Sequence, residues 1–259
     1  HYPIRSELLE DKLSSTGVTI FTILSQMALD HNAIHLSQGF PDFKCPEELI
    51  NMVSQAMSNG LNQYAPMSGI PELREAIARK TDNFYHKKLN YETEITVTSG
   101  ATEALFVAIQ AVVHPGDEVI VFDPAYDSYK PAISLAGGKT IHLPLGEPEF
   151  SIDWNKVRDA ITAKTRMLIV NSPHNPTGAI LSRDDLNCLY DITSAHNILV
   201  LSDEVYEHMV FDGQTHHSVL THDDLAQRSF VVSSFGKTYH TTGWKIGYCI
   251  APPRLTTLF

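Results

Sequence analysis

The chain has 259 residues and is short of cysteine, of positive charge and of long apolar runs. Its three cysteines, Cys45, Cys188 and Cys249, are isolated. An odd count without a CxxC pair excludes a disulfide framework and predicts reduced, partly buried thiols in a cytoplasmic protein. Lys and Arg number 19 against 30 Asp and Glu, a formal net charge of -11. That balance excludes a general attraction to nucleic acid or to an anionic membrane, although it leaves room for a local basic pocket around one phosphate. No apolar run is long enough to span a bilayer. The start, His1-Tyr2-Pro3-Ile4-Arg5, has no Met and no apolar core of a signal peptide, so a few upstream residues are expected. Among 13 histidines, His216, His217 and His222 cluster after Phe211-Asp212-Gly213. They show no HExxH or tight ligand spacing, which predicts a polar surface loop and no metal. What is present is ordinary for a globular chain: 43% hydrophobic and 19% charged residues. The length allows one large domain or two small ones.

Short β-branched runs alternate with longer amphipathic stretches, the pattern of an α/β sheet with helices on its faces. Strands are expected over 94–98, 118–122, 140–145, 166–170, 198–201, 229–232 and 246–251. Helices are expected over 20–31, 46–58, 71–85, 100–113 and 126–136, and from Asp153 as N-cap to Thr162. Ser182 begins another, with Asp185 completing a capping box. Pro46 and Pro71 suit first turns, and Pro115-Gly116 and Gly137-Gly138 are stop signals. Residues 1–44 read as an arm and part of a small domain, and 45–259 as a large domain. Ser99-Gly100, Asn171, Asp203 and Ser233-Ser234 each follow a predicted strand directly. Ligands of open α/β sheets bind beyond such strand ends, so these positions are expected to converge on one crevice.

Five segments carry chemistry-bearing residues: SGATEA (99–104), NSPHNPTG (171–178), SDEVY (202–206), SSFGKT (233–238) and GWKIG (243–247). Lys237 offers an amine for a Schiff base, with Gly236 allowing close backbone approach. Asp203 offers a carboxylate for a ring nitrogen. Tyr206, three residues on, shares its face if the segment is a helical turn. Tyr206 and Asn175 offer hydrogen bonds to a ring oxygen. The strand-to-helix junction at Ala101 and Thr102 offers free amides and the positive end of a helix dipole to a phosphate. Ser234 and Lys245 complete that shell. Tyr126 is a candidate to stack on a ring, and Tyr64 sits in a polar loop where a core role is unexpected. These groups together are the set that pyridoxal 5'-phosphate requires.

The segments resemble the class I aminotransferases of the aspartate aminotransferase fold (fold type I of pyridoxal-phosphate enzymes), from Gly39-Phe40-Pro41-Asp42 to Gly247. Within that family the style is that of the methionine and kynurenine aminotransferase branch, on LSQGFPD (36–42), NQYAP (62–66) and the FGKT run. The resemblance implies a mostly parallel seven-stranded sheet flanked by helices, with an N-terminal arm and an incomplete small domain. It implies Lys237 as Schiff-base lysine and proton shuttle, Asp203 facing the ring nitrogen, and Asn175 and Tyr206 facing the ring oxygen. Ala101, Thr102, Ser234 and Lys245 would hold the phosphate and Tyr126 would stack on the ring. Tyr64 would reach the phosphate of a neighbouring subunit, which implies a homodimer. Gly39 would lie near the substrate carboxylate and Phe21 near its side chain.

One departure stands out. Family members continue past this point, and the missing part carries the arginine that grips the substrate carboxylate; Arg254 falls in the wrong place to replace it. The expectation is a fragment of a longer protein. The expected activity is transfer of an amino group from a methionine-like or aromatic L-amino acid to a 2-oxo acid by a ping-pong route. A pyridoxal-phosphate β-lyase cleaving C–S bonds would use the same residues. A cofactor-binding fragment without catalysis is the reading from another class.

Overall fold

The computed structural model describes residues 10–13, 17–39 and 43–259. The chain divides into two compact units, His1–Lys44 and Cys45–Phe259. In the first unit, helix α1 (Ile20–Asp30) is capped by Thr19, whose hydroxyl accepts from the Thr22 amide at 3.3 Å. Among the described residues no helix is long and apolar enough to cross a membrane.

The second unit is built on seven strands: β1 (Ile95–Thr98), β2 (Glu118–Asp123), β3 (Lys139–Pro144), β4 (Thr165–Asn171), β5 (Leu199–Asp203), β6 (Ser229–Ser234) and β7 (Gly247–Ile250). They form one sheet in the order β1-β7-β6-β5-β4-β2-β3. Only the pairings of β7, with β1 and with β6, are antiparallel. All seven strands fall where the alternation predicts, with ends moved by a residue or two. Pairing extends β5 and β6 to Asp203 and Ser234, and β7 starts at Gly247.

Period-two patterning sends alternate residues of each strand into two separate cores. Val119, Val121, Met167, Ile169, Leu201, Phe230, Val232 and Cys249 face one core; Ile120, Phe122, Leu168, Val170, Val200, Val231 and Tyr248 face the other. The first core is closed by helix α5 (Ala101–Val112) after the short helix α4 (Tyr91–Glu94), and by α6 (Tyr129–Leu135). The second is closed by α7 (Trp154–Ala160) and α8 (Arg183–His196), with Ile77 of α3 (Pro71–Tyr85), which follows α2 (Glu47–Ser58). Local signals account for the boundaries. Asp153 accepts from the amides of Asn155 and Lys156, and Ser182 and Asp185 form a reciprocal capping box. Shorter helices α9 (Asp223–Ala226), α10 (Phe235–Thr238) and α11 (Pro253–Leu258) lie in the last third. Helix α6 starts at Tyr129, later than expected, which leaves Tyr126 on the loop after β2.

Gly247 pairs with Thr98 on one side and Ser234 on the other. A Cβ there would lie 2.5 Å from the Gly100 carbonyl carbon and 2.6 Å from the Ala101 amide nitrogen. Backbone cannot yield as a flexible side chain does, so Gly247→Ala is expected to destabilise the protein by about 1–3 kcal/mol. Denaturant unfolding of the variant beside the parent checks this; equal midpoints would contradict it.

Candidate active site

The strand register builds the site. Asn171, at the end of β4, pairs with Asp203, at the end of β5, and Asp203 pairs with Val232 of β6. Three chain segments therefore leave the sheet side by side at its carboxyl edge, where a ligand crevice is expected. The Asn171 side-chain amide donates to the Asp203 carbonyl at 2.9 Å, and its oxygen accepts from the Asn175 amide at 2.8 Å. That pair of bonds fixes the turn carrying Asn175 relative to Asp203.

Asp203 is 4% exposed. Its carboxylate accepts from the Tyr129 hydroxyl at 2.7 Å and from the Val205 amide at 3.3 Å. Neither donor is a cation. Burial pushes the carboxyl group up to about 6, with Glu204 adding to the effect and the two hydrogen bonds opposing it. Tyr129 is itself buried on α6 and held far above the usual phenol range, first by burial and then by Asp203, so it is a permanent donor. Sequence reading missed Tyr129. Its only signal was its spacing from Tyr126 in the segment Tyr126-Asp127-Ser128-Tyr129.

Tyr206 follows on a hydrogen-bonded turn. The expected helical turn from Asp203 to Tyr206 is not formed: Asp203 is the last residue of a strand, and the turn starts at Glu204, whose carbonyl accepts from Glu207 at 3.0 Å. The Asn175 side-chain amide donates to the Tyr206 hydroxyl at 3.3 Å. Burial, then Asp203 and Tyr126, hold Tyr206 protonated. The Lys237 amine stands over its ring, 5.7 Å from the centroid. The Lys237 residue is open to solvent as a whole, yet partial burial of the amine and then the neighbouring charge of Lys245 lower its pKa. Tyr126 packs edge-on to Tyr129 with centroids 5.7 Å apart, and its hydroxyl interacts with the Thr102 side chain. His174, its pKa lowered by burial, meets the Thr177 hydroxyl at 2.8 Å and bonds to the Pro124 backbone, tying the Asn175 turn to the Tyr126 loop.

The anion side lies next to these residues. Gly100 caps α5 with φ 82°, a left-handed conformation that favours glycine, and leaves the first-turn amides of Ala101 and Thr102 without intrahelical partners. The Lys245 side chain occupies the space a Cβ on Gly100 would meet, at 3.3 Å. Ser234, opposite Gly247 in register, lies on the other side of β7. A helix N-terminus, a hydroxyl and an ammonium group therefore meet at one edge.

The chain is 51% identical over 243 residues to a methionine aminotransferase of Escherichia coli, covering 94% of this chain and 63% of that protein. A kynurenine–oxoglutarate transaminase of Dictyostelium discoideum is 37% identical over 260 residues, covering 93% and 60%. The profile of the family described as aminotransferase class I and II matches residues 31–258. The chain belongs to that family. Among solved structures, an Escherichia coli protein identified as a methionine aminotransferase superposes with a TM-score of 0.93 at 48% identity, covering 99% of this chain and 66% of that one. The sheet described above is thus that of fold type I, and the class I aminotransferases use pyridoxal phosphate. The chain spans about 63% of the length of its methionine aminotransferase relative.

Set against the residues expected to form an aminotransferase site, the structure brings together Lys237, Asp203, Tyr206, Asn175, Tyr126, Thr102, Ala101, Ser234 and Lys245. Tyr64 does not join them; it is fully exposed on the loop between α2 and α3. Phe21 and Gly39 belong to the first unit, Phe21 on α1, and Phe40, Pro41 and Asp42 lie outside the described residues. His216 departs from the expected surface loop. It is buried, and its ring meets the Glu204 carboxylate at 3.0 Å, because a buried carboxylate needs donors. His222 caps α9 and stacks on Tyr190. Among the described residues no group of three or more His, Cys, Asp or Glu is placed to hold a metal.

Two outcomes follow from the electrostatics. The folded pKa of Asp203, about 6, lies above its unfolded value of about 3.9, so the folded cofactor-free chain binds the extra proton between them. The contribution of Asp203 to stability is therefore fully present below the lower value and is lost as pH rises through the higher one. Asp203→Asn should stabilise the cofactor-free chain near neutral pH, by on the order of 2 kcal/mol, and the gain should shrink towards about pH 4. Thermal melts across that range check it. Lys245→Met should move the midpoint for acylation of the Lys237 amine to higher pH, because it removes a neighbouring positive charge. Competitive labelling followed by peptide mapping reads that midpoint.

Proposed function

We propose that this chain is the cofactor-binding part of an aminotransferase that takes pyridoxal 5'-phosphate on Lys237. The proposed reaction moves the amino group of a methionine-like or aromatic, kynurenine-like L-amino acid to a 2-oxo acid in two half-reactions. The observation that carries this is the buried Asp203 carboxylate. Among the described residues it has two neutral donors and no cation, and it sits at the edge where Lys237, Tyr206 and Asn175 gather. A protonated pyridine nitrogen supplies the charge that this acid lacks, so the residues fit the group.

When bound, pyridoxal phosphate supplies an aldehyde that condenses with amines and a protonated ring that withdraws electrons from the substrate's α-carbon. Asp203 would keep the ring nitrogen protonated. The Tyr206 hydroxyl and the Asn175 side-chain amide would serve the ring oxygen, and Tyr126 the ring face. The amides of Ala101 and Thr102, the Ser234 hydroxyl and the Lys245 ammonium would hold the phosphate. The Lys237 amine, with its pKa lowered, would be the group that carries the cofactor, and its Nζ would be the base that accepts and returns the substrate's α-proton.

Residues 1–44 are proposed as the arm and part of a small domain that brings Gly39 to the substrate carboxylate and Phe21 to its side chain. A homodimer is proposed in which Tyr64, exposed in the single chain, reaches the partner's phosphate. A cytoplasmic location accords with the isolated thiols. The names of the methionine and kynurenine relatives support the donor class.

The deciding experiment compares Lys237→Ala with the parent after incubation with pyridoxal phosphate and borohydride. The parent is expected to retain the cofactor covalently on the peptide containing residue 237, and the variant is expected to lose both the label and amino-group transfer from methionine. A label elsewhere, or on the variant, would overturn the assignment. Pyruvate and ammonia from cystathionine, formed without an oxo-acid acceptor, would point to β-elimination instead.

A further inference from the structure

The SDEVYE segment holds three buried carboxylates, Asp203, Glu204 and Glu207, exposed by 4%, 2% and 5%. Glu204 is served by the Ser202 hydroxyl at 2.8 Å, the His216 ring at 3.0 Å and the Val219 amide at 3.1 Å. Glu207 differs from both because its donors come from three separate parts of the unit. From α3, Lys80 forms an ion pair with Oε2, and the Tyr85 hydroxyl donates to the same oxygen at 2.5 Å. From β6, the Ser233 hydroxyl donates to Oε1 at 2.8 Å. From β7, the Tyr248 hydroxyl lies 3.4 Å from Oε1, and Tyr248 is paired in register with Ser233. His208 is 4.0 Å from the same oxygen. Burial disfavours the charged carboxylate, but Lys80 and the hydroxyl donors outweigh it and hold Glu207 below the usual range.

These partners stand next to the residues of the site. Glu207 follows Tyr206. Ser233 precedes Ser234 and starts the segment that ends at Lys237. Tyr248 follows Gly247. We infer that Glu207 is a positioning residue: one carboxylate clamps the Tyr206 turn to the Ser233–Lys237 segment and to the start of β7, and so sets Tyr206 against the Lys237 amine. Lys80 and Tyr85 anchor the clamp on α3. The inference rests on the reading of Lys237 as the pyridoxal-phosphate lysine. A buried charge with a cation and several hydroxyl donors is costly to break from one side and rigid while intact, which suits a part that must hold geometry.

The test uses Glu207→Gln and, as a milder variant, Ser233→Ala, which removes only the β6 hydroxyl. Amide hydrogen exchange of the folded chain reads the clamp without cofactor. Faster exchange is expected in both 203–208 and 233–237 for Glu207→Gln, and in 233–237 for Ser233→Ala. Absorbance titration with pyridoxal phosphate reads the consequence: a dissociation constant weakened by roughly tenfold for Glu207→Gln, the loss expected when a charge-assisted hydrogen bond is removed. The spectrum of the lysine-attached form is expected to change as well. A lowered melting temperature with an unchanged dissociation constant and unchanged spectrum would overturn the inference, as would exchange confined to 203–208. Should Glu207→Gln fail to fold, Ser233→Ala decides by the same readings. A parent that binds no pyridoxal phosphate at Lys237 defeats the functional reading itself, and the exchange data then report separately on whether the clamp exists.

Discussion

The arrangement depends on one unpaired charge. Asp203 sits at the end of a central strand, almost wholly buried, with a phenol and a backbone amide as its donors. Uncompensated charge in such a place is unfavourable and is ordinarily relieved by a counter-ion or by protonation. Within the chain the relief is partial protonation, with a pKa of about 6. The surrounding residues accept this condition and are themselves built around it. Tyr129 is buried to supply one hydrogen bond, and the Asn171 side chain bonds the Asp203 carbonyl and so fixes the backbone that carries the acid.

The neighbouring carboxylates make the contrast useful. Glu207 has Lys80, and Glu204 has a hydroxyl, an imidazole and an amide. Both are satisfied inside the protein, and each joins segments distant in sequence. Among the described residues Asp203 has two donors, a phenol and a backbone amide, and neither is a cation. Three acids within five positions therefore divide between two tasks, and the division is set by what each side chain meets.

Much of this was legible from sequence, for identifiable reasons. The strands were readable because both faces of a central strand meet a core, which leaves short apolar, β-branched runs such as Val119 to Phe122. Helix starts were readable where local chemistry decides them, as at Asp153 and at Ser182 with Asp185. Asp203 stood out at a predicted strand end, and Lys237, Asn175 and Tyr206 stood out by the chemistry of the short segments that hold them. The rest depended on long-range partners. Nothing near Glu207 indicates Lys80, and nothing near His216 indicates that Glu204 will draw it inside. The Asp203–Tyr206 spacing suggested a helical turn, but pairing with β4 and β6 keeps Asp203 in the sheet and moves the bend to Glu204.

The inverted strand explains how so short a stretch carries so many of the gathered residues. β6 ends at the carboxyl edge of the sheet with Ser234, and β7 runs back from that same edge beginning at Gly247. The whole connection between them therefore stays at the crevice, and it contains Lys237 and Lys245. A parallel β7 would have required the chain to cross to the far edge first, and Lys245 would then stand at the wrong end of its strand. Because β1 is antiparallel to β7, its own carboxyl end, with Ser99 and Gly100, also reaches this edge. The near contact between Gly247 and the Gly100–Ala101 peptide is the consequence: two chain reversals share one small volume, and only the absence of a side chain at Gly247 lets the α5 N-terminus come this near. Strand direction, more than any single contact, is what brings the Lys237 amine, the Ser234 hydroxyl, Lys245 and the α5 N-terminus to one edge of the sheet.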